Sequence, residues 1–151
     1  MRTIQTLAEL ASMVGQEIVV SDWITITQEM VNQFAQATGD HQWIHVDVER
    51  ARAGPFGAPI AHGFLTLSLL PRFFESSMEV VEARMGVNYG LNKVRFMAPV
   101  PVGSRLRARI RLLACEPIDN GGYQMTSAVQ IEREGSERPV CVAESIARRY
   151  P

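Results

Sequence analysis

The apolar and polar positions divide the chain into two unlike halves. In the first, residues 6–14 repeat on a helical period and stop at Gly15. Residues 18–24 form a β-rich apolar run, read as a first strand. Met30, Val31, Phe34, Ala35 and Ala37 then recur at helical spacing. Thr27 suits the N-cap of that helix, Glu29 lies where the helix dipole favours an anion, and Gly39 closes it. Residues 40–60 break the pattern. Gly54, Pro55, Gly57 and Pro59 forbid long regular structure, which predicts an ordered loop holding one helical turn near residues 48–52. Residues 63–74 carry Phe64, Leu65, Leu67, Leu69, Leu70, Phe73 and Phe74 with no clean polar side, the pattern of a helix buried nearly all round.

The second half reads as strands over residues 87–96, 105–115, 123–133 and 140–149. Leu106, Ala108, Ile110 and Leu112 alternate with Arg105, Arg107, Arg109 and Arg111, a period of two that marks a sheet with one wet face. Pro99, Pro101 and Gly103 punctuate one turn and Asn120-Gly121-Gly122 another. The order predicts an α+β fold over residues 1–151 as one domain. An antiparallel sheet wraps one central buried helix, and the loop and helix insertion overhangs it. Its exposed edge and unfilled face call for a second copy of the chain.

Composition narrows the function classes. The chain has 151 residues, 46% apolar and 21% charged, an ordinary globular balance. A net charge of −1 argues against a nucleic-acid or anionic-membrane partner. Cys115 and Cys141 have neither CxxC nor metal-ligand spacing and read as buried small hydrophobes. Residues 1–15 lack the basic stretch and apolar run of a secretory signal, and no apolar run reaches the ~18 residues of a membrane span. A cytoplasmic, reducing compartment is the expectation.

The chemistry concentrates in Ala37-Thr38-Gly39-Asp40-His41-Gln42-Trp43-Ile44-His45 and in Ala61-His62-Gly63-Phe64. Adding water across a conjugated double bond needs a base for the water and an acid for the neighbouring carbon, work that an imidazole and a carboxylate share. Charge building on the carbonyl needs donors, which free N–H groups at a helix start supply, and Gly63 lets a ligand approach that backbone. Blander readings stand beside these. Asp40 also fits a turn after Gly39, His45 a hydrogen-bonded structural histidine, and His62 a helix cap. His41, His45, His62, Asp40 and Asp47 suggest a metal only weakly, because their spacing is irregular; no metal is expected. Ser68 lacks a nucleophile-elbow motif. Asn88 and Tyr89 suit either a pocket lining or a strand bend. The arginine row reads as a solvated face, from which some arginines, or Lys93 and Arg95, also suit a nucleotide 3′-phosphate.

These segments resemble the MaoC-like dehydratases, whose hydratase-2 motif runs Gly-Asp-x-Asn-Pro-aliphatic-His with a small residue six places on, here Ala51. Residues 59–65, 88–96 and 99–103 are similar to that family as well. The resemblance implies a hot-dog fold, a homodimer and an (R)-specific enoyl-CoA hydratase. Such an enzyme adds water syn to a trans-2-enoyl-CoA and reversibly dehydrates the (R)-3-hydroxyacyl product. The acyl-CoA, or acyl carrier protein thioester, is then substrate and no cofactor is needed. Asp40 and His45 match the family's catalytic pair and Gly63 its oxyanion glycine, with His62, Phe64, Asn88 and Tyr89 as substrate-binding candidates. Gln42 and Trp43 replace the motif's Asn and Pro, which puts the expected novelty in pocket shape. The alternatives are a hot-dog acyl-CoA thioesterase and a subunit of a 3-hydroxyacyl-acyl-carrier-protein dehydratase.

Overall fold

The computed structural model describes residues 1–151. Strand β1 (Arg2–Ile4) leads into helix α1 (Leu7–Ala11), capped by the Thr6 hydroxyl. Two short strands follow, β2 (Glu17–Val20) and β3 (Ile24–Thr25), and then helix α2 (Gln28–Thr38). The overhang carries α3 (Trp43–Val46) and α4 (Val48–Arg52). The apolar segment forms α5 (Gly63–Ser68) and α6 (Leu70–Glu75). Strands β4 (Met78–Val80), β5 (Met85–Phe96), β6 (Arg105–Pro117), β7 (Tyr123–Arg133) and β8 (Cys141–Tyr150) complete the chain.

The main sheet is antiparallel, in the order β2-β6-β7-β8-β5, with β3 also on β6. Period two holds on β6: Leu106, Ala108, Ile110 and Leu112 are buried. Met125, Ser127, Val129 and Ile131 do the same on β7. These inner faces, the α5–α6 segment and α1 share one core cluster of 28 buried residues, with Phe73 completely buried.

Three features differ from the sequence expectation. The first strand is two strands: the Ser21 N–H still donates to the Ala108 carbonyl, but the Ser21 hydroxyl replaces its carbonyl as acceptor of the Ala108 N–H, both at 2.9 Å, and the ladder lapses before Ile24. A second, parallel pairing joins β1 to β4 and clasps the N-terminal strand to the segment after α6. The central helix is broken at Leu69. Pro71 has no N–H to offer the Leu67 carbonyl, so the ladder stops and restarts. Nor is the segment buried all round: Phe64 is 70% exposed on this chain. No helix is long and apolar enough to cross a membrane.

Candidate active site

The site forms where the overhang folds back against the start of α5. Thr27 caps α2 through Met30 N–H at 3.2 Å, and Gly39 ends it in the left-handed region at φ 80°, its N–H on the Ala35 carbonyl. That turn delivers Asp40, whose Oδ1 accepts from Gln42 N–H at 3.3 Å. The single turn of α3 then points His45 inward, 6% exposed.

Backbone carbonyls orient both histidines. His45 Nδ1 lies 2.6 Å from the Ile60 carbonyl oxygen. A carbonyl only accepts, so Nδ1 carries the proton and Nε2 keeps its lone pair. His62 Nε2 likewise donates to the Asp40 carbonyl at 3.0 Å, leaving its buried Nδ1 without a partner. The two rings stack with centroids 3.8 Å apart, and Phe34 packs on His62 at 4.8 Å. Gln28 Nε2, reaching over from α2, donates to the His45 carbonyl at 2.9 Å. Burial pushes the His45 imidazole below its ordinary value. The Ile60 carbonyl opposes that shift, the His62 ring reinforces it and Asp40 opposes it.

Donor atoms of Asp40, His45 and His62 lie within 4.8 Å of one another. The interplanar angle of the two rings is only 24°. Each ring keeps one nitrogen that no carbonyl engages, with its lone pair in the ring plane and available to a proton. His41 is exposed, and Asp47 caps α4 through Arg50 N–H at 3.1 Å; neither joins the cluster.

A cavity of about 340 Å³ opens beside His45, lined among others by Phe56, Gly63, Thr66 and Phe96. The Gly63 N–H donates to no backbone acceptor. A Cβ on Gly63 would come within 3.0–3.2 Å of the Phe96 ring, so the aromatic seals the backbone only because that position has no side chain. The Thr66 hydroxyl is buried in the same wall with no partner.

Thus Asp40, His45 and His62 come together, and Gly63 shares the His45 cavity. Phe64, Asn88 and Tyr89 do not: they line a second cavity between α5–α6 and the sheet. Trp43 packs under Arg50, 4.3 Å from its ring centroid, and against Gly54, away from the His45 cavity. The expected effect of Trp43 on pocket shape therefore does not follow from contact. Gln28, Thr66 and Phe96 went unread in the sequence. Arg107 and Arg109 share Glu132, Arg105 pairs with Glu134, and Arg111 donates to the Gly15 carbonyl, which leaves the outer row committed to partners within the chain.

Residues 9–134 match the family model described as a MaoC like domain. The chain belongs to this family. The 3-hydroxyacyl-thioester dehydratase Z of Mycobacterium tuberculosis is 59% identical to this MaoC-like domain over 148 residues, 98% of each chain. Nodulation protein N of Rhizobium leguminosarum bv. viciae is 48% identical over 140 residues, 91% of this chain and 87% of that one. The unliganded R-hydratase PhaJ1 of Pseudomonas aeruginosa superposes with a TM-score of 0.73 at 23% identity, covering 96% of this chain and 85% of that one. The hot-dog fold is therefore shown, and the MaoC-like domain is an enzyme of the hydratase/dehydratase class.

Proposed function

We propose that the chain is an (R)-specific enoyl-thioester hydratase, running in reverse as a 3-hydroxyacyl-thioester dehydratase, with Asp40 and His45 as its acid/base pair. The observation that carries the reading is the His45 ring. Its Nδ1–H is spent on Ile60, its Nε2 is free, and the Asp40 carboxylate stands within 4.8 Å.

Water held by this pair gives a proton to His45 Nε2 as its oxygen bonds to C3 of the trans-2-enoyl group. The C2–C3 π electrons move onto the thioester carbonyl, and the Gly63 N–H stabilises the resulting enolate oxygen. The dyad then returns the proton to C2 on the same face. The sum is H–OH added across one double bond. His62 is not placed to touch the reacting atoms in this scheme. Its bond to the Asp40 carbonyl and its stacking on His45 make it a positioning residue, and Gln28 serves His45 in the same way.

A homodimer belongs to the same proposal. Edge strand β5 leaves one side unpaired, and Met85, Val87, Tyr89 and Leu91 on it are exposed, as is Phe64. Cytoplasmic residence fits the cysteines. Cys115 and Cys141 are free and buried, and burial pushes each thiol up to about 11. The activity test is hydration of a trans-2-enoyl-CoA, followed by loss of conjugated-thioester absorbance. A product that an (S)-specific 3-hydroxyacyl-CoA dehydrogenase leaves unoxidised is expected. Rapid oxidation by that enzyme would overturn the (R) assignment, and release of free CoA thiol without hydration would favour a thioesterase. Sedimentation of the purified chain reads the dimer.

A further inference from the structure

The second cavity is the larger, about 570 Å³, and lies between α5–α6 and the inner faces of β5 to β8. Its walls are mostly apolar, including Leu67, Leu70, Ile110 and Val129, and Phe64, Val87, Tyr89 and Leu91 among them belong to the face assigned above to the second copy, which would border this cavity. Arg149 is out of character there. On β8 it ends the row Ala143, Ser145, Ala147, Arg149, and the period of two turns that row toward α5–α6.

The guanidinium has no protein partner. It makes no ion pair and no side-chain hydrogen bond, in contrast to Arg105, Arg107 and Arg109 on the outer face. Its Nε is shut off from solvent and unpartnered. The plane rests over the Phe74 ring at 4.2 Å, a packing that holds the fork in place without satisfying its donors. Gly86 opposite leaves room at Nη1, since even an added Cβ would stand 3.8 Å away. Glu75 lines the same cavity and attracts the guanidinium, yet lies beyond ion-pair distance. A buried Nε–H without an acceptor is costly unless something else supplies one.

An aromatic pair stands between the two cavities. Phe96 lines the His45 cavity and Phe64 the larger one, their rings edge to face at 5.9 Å. An acyl chain whose C3 lies at His45 would enter the larger cavity past that pair. Phe96 pairs with Cys141, and Arg149 stands at the opposite end of β8. At ~3.3 Å per strand residue that separation is roughly 25 Å, which calls for a long chain.

We propose that the larger cavity receives the distal part of the acyl group and that Arg149 binds a carboxylate at its far end. The preferred substrates are then long ω-carboxy-2-enoyl thioesters. This rests on the enoyl-thioester reading above. Guanidinium and carboxylate fit as a bidentate pair, and the apolar walls accept the methylene chain between.

The experiment compares trans-2-tetracosenoyl-CoA, long enough to span that distance, with its ω-carboxy counterpart, using the full chain and the variants Arg149→Met and Arg149→Lys. The native chain is expected to prefer the carboxylated thioester by roughly ten-fold or more in kcat/KM, the scale of one charge-assisted pair. Arg149→Met abolishes that preference and leaves the plain thioester nearly unchanged; Arg149→Lys retains part of it. Calorimetric binding of saturated tetracosanedioyl-CoA and tetracosanoyl-CoA reads the same contrast without turnover. If the plain thioester is hydrated but the carboxylated one is not favoured, this inference falls and the hydratase reading stands. If neither is hydrated, yet Arg149→Met still weakens tetracosanedioyl-CoA selectively, the hydratase reading falls and the carboxylate site stands. An Arg149→Met chain that slows both substrates alike, or sediments as a smaller species, overturns the site in favour of a structural arginine.

Discussion

The outer face of β6 and β7 and the overhang around α3 both gather ionisable side chains, and they spend them differently. On the outer face Arg105, Arg107 and Arg109 meet carboxylates, and Arg111 donates to the Gly15 carbonyl. Arg107 and Arg109 hold Glu132 at 2.7 and 2.9 Å, and Arg109 reaches on to Glu17 at 3.1 Å, which ties β2, β6 and β7 together. In the overhang, backbone carbonyls hold the rings. Ile60 takes one nitrogen of His45 and Asp40 one of His62. A carbonyl fixes a ring without neutralising it and without using its second nitrogen. Saturated pairs hold strands in register; half-satisfied rings keep the capacity for chemistry.

The largest effects should come from the overhang. Asp40→Ala or His45→Ala should lower kcat/KM for hydration by ~10²–10⁴ while the chain still melts cooperatively. Losses below ten-fold in both would remove the contrast. The next test is pH. A base must be unprotonated, and burial lowers His45 from the ordinary imidazole value, so the acid limb of kcat/KM should lie at lower pH than a free imidazole would give. The His62 ring helps to keep His45 low, so His62→Asn should move that acid limb to higher pH. An unmoved limb with merely lower activity would make His62 only a packing residue. Gln28→Leu removes one anchor of α3. It should cost roughly ten-fold or less in kcat, the worth of about 1 kcal/mol in one hydrogen bond, with little change in KM.

The outer face should respond least, and only in stability. Burial tends to raise the Glu132 carboxyl, but Arg107 and Arg109 overcome this and hold it below the ordinary carboxylate value. Its contribution is therefore present above the unfolded value and lost as pH falls through the folded one. Glu132→Gln should cost about 1 kcal/mol or less at neutral pH, shift the melting temperature by roughly 2–4 °C at most, and shrink that difference in acid. Hydration rates should not change.

How much of this was written in the sequence depends on the range of the interaction. Strands β6 to β8 were legible because burial alternates residue by residue, and β7 runs over the residues expected of it. Helix α2 was legible through Thr27 and Gly39, which act on their own neighbours. The β1–β4 clasp was not, since three-residue strands so far apart leave no local period. The break at Leu69 was signalled by Pro71 but masked by the continuous apolar run. In the site, Asp40, His45 and Gly63 stood out by spacing and by likeness to a known motif. Gln28 looked like any polar residue in a helix's first turn, and nothing nearby in sequence marks its reach to the carbonyl of residue 45. Arg149 did carry a signal, an arginine continuing the inward row of a strand, but its meaning depends on α6 packing opposite.

Ile60 fastens three parts of the architecture at one residue. Its carbonyl holds His45, its N–H donates to the Ile44 carbonyl at 3.0 Å, and it bridges to Pro101. The connection between α4 and Ile60 is thereby pinned at its far end, independently of what lies within it. Phe56 sits inside that connection and forms part of the wall beside His45. The segment is thus an exchangeable cassette. Descendants of this chain can lengthen it, trim it or redecorate its tip, and so try out new substrates, while the proton-handling apparatus is inherited intact.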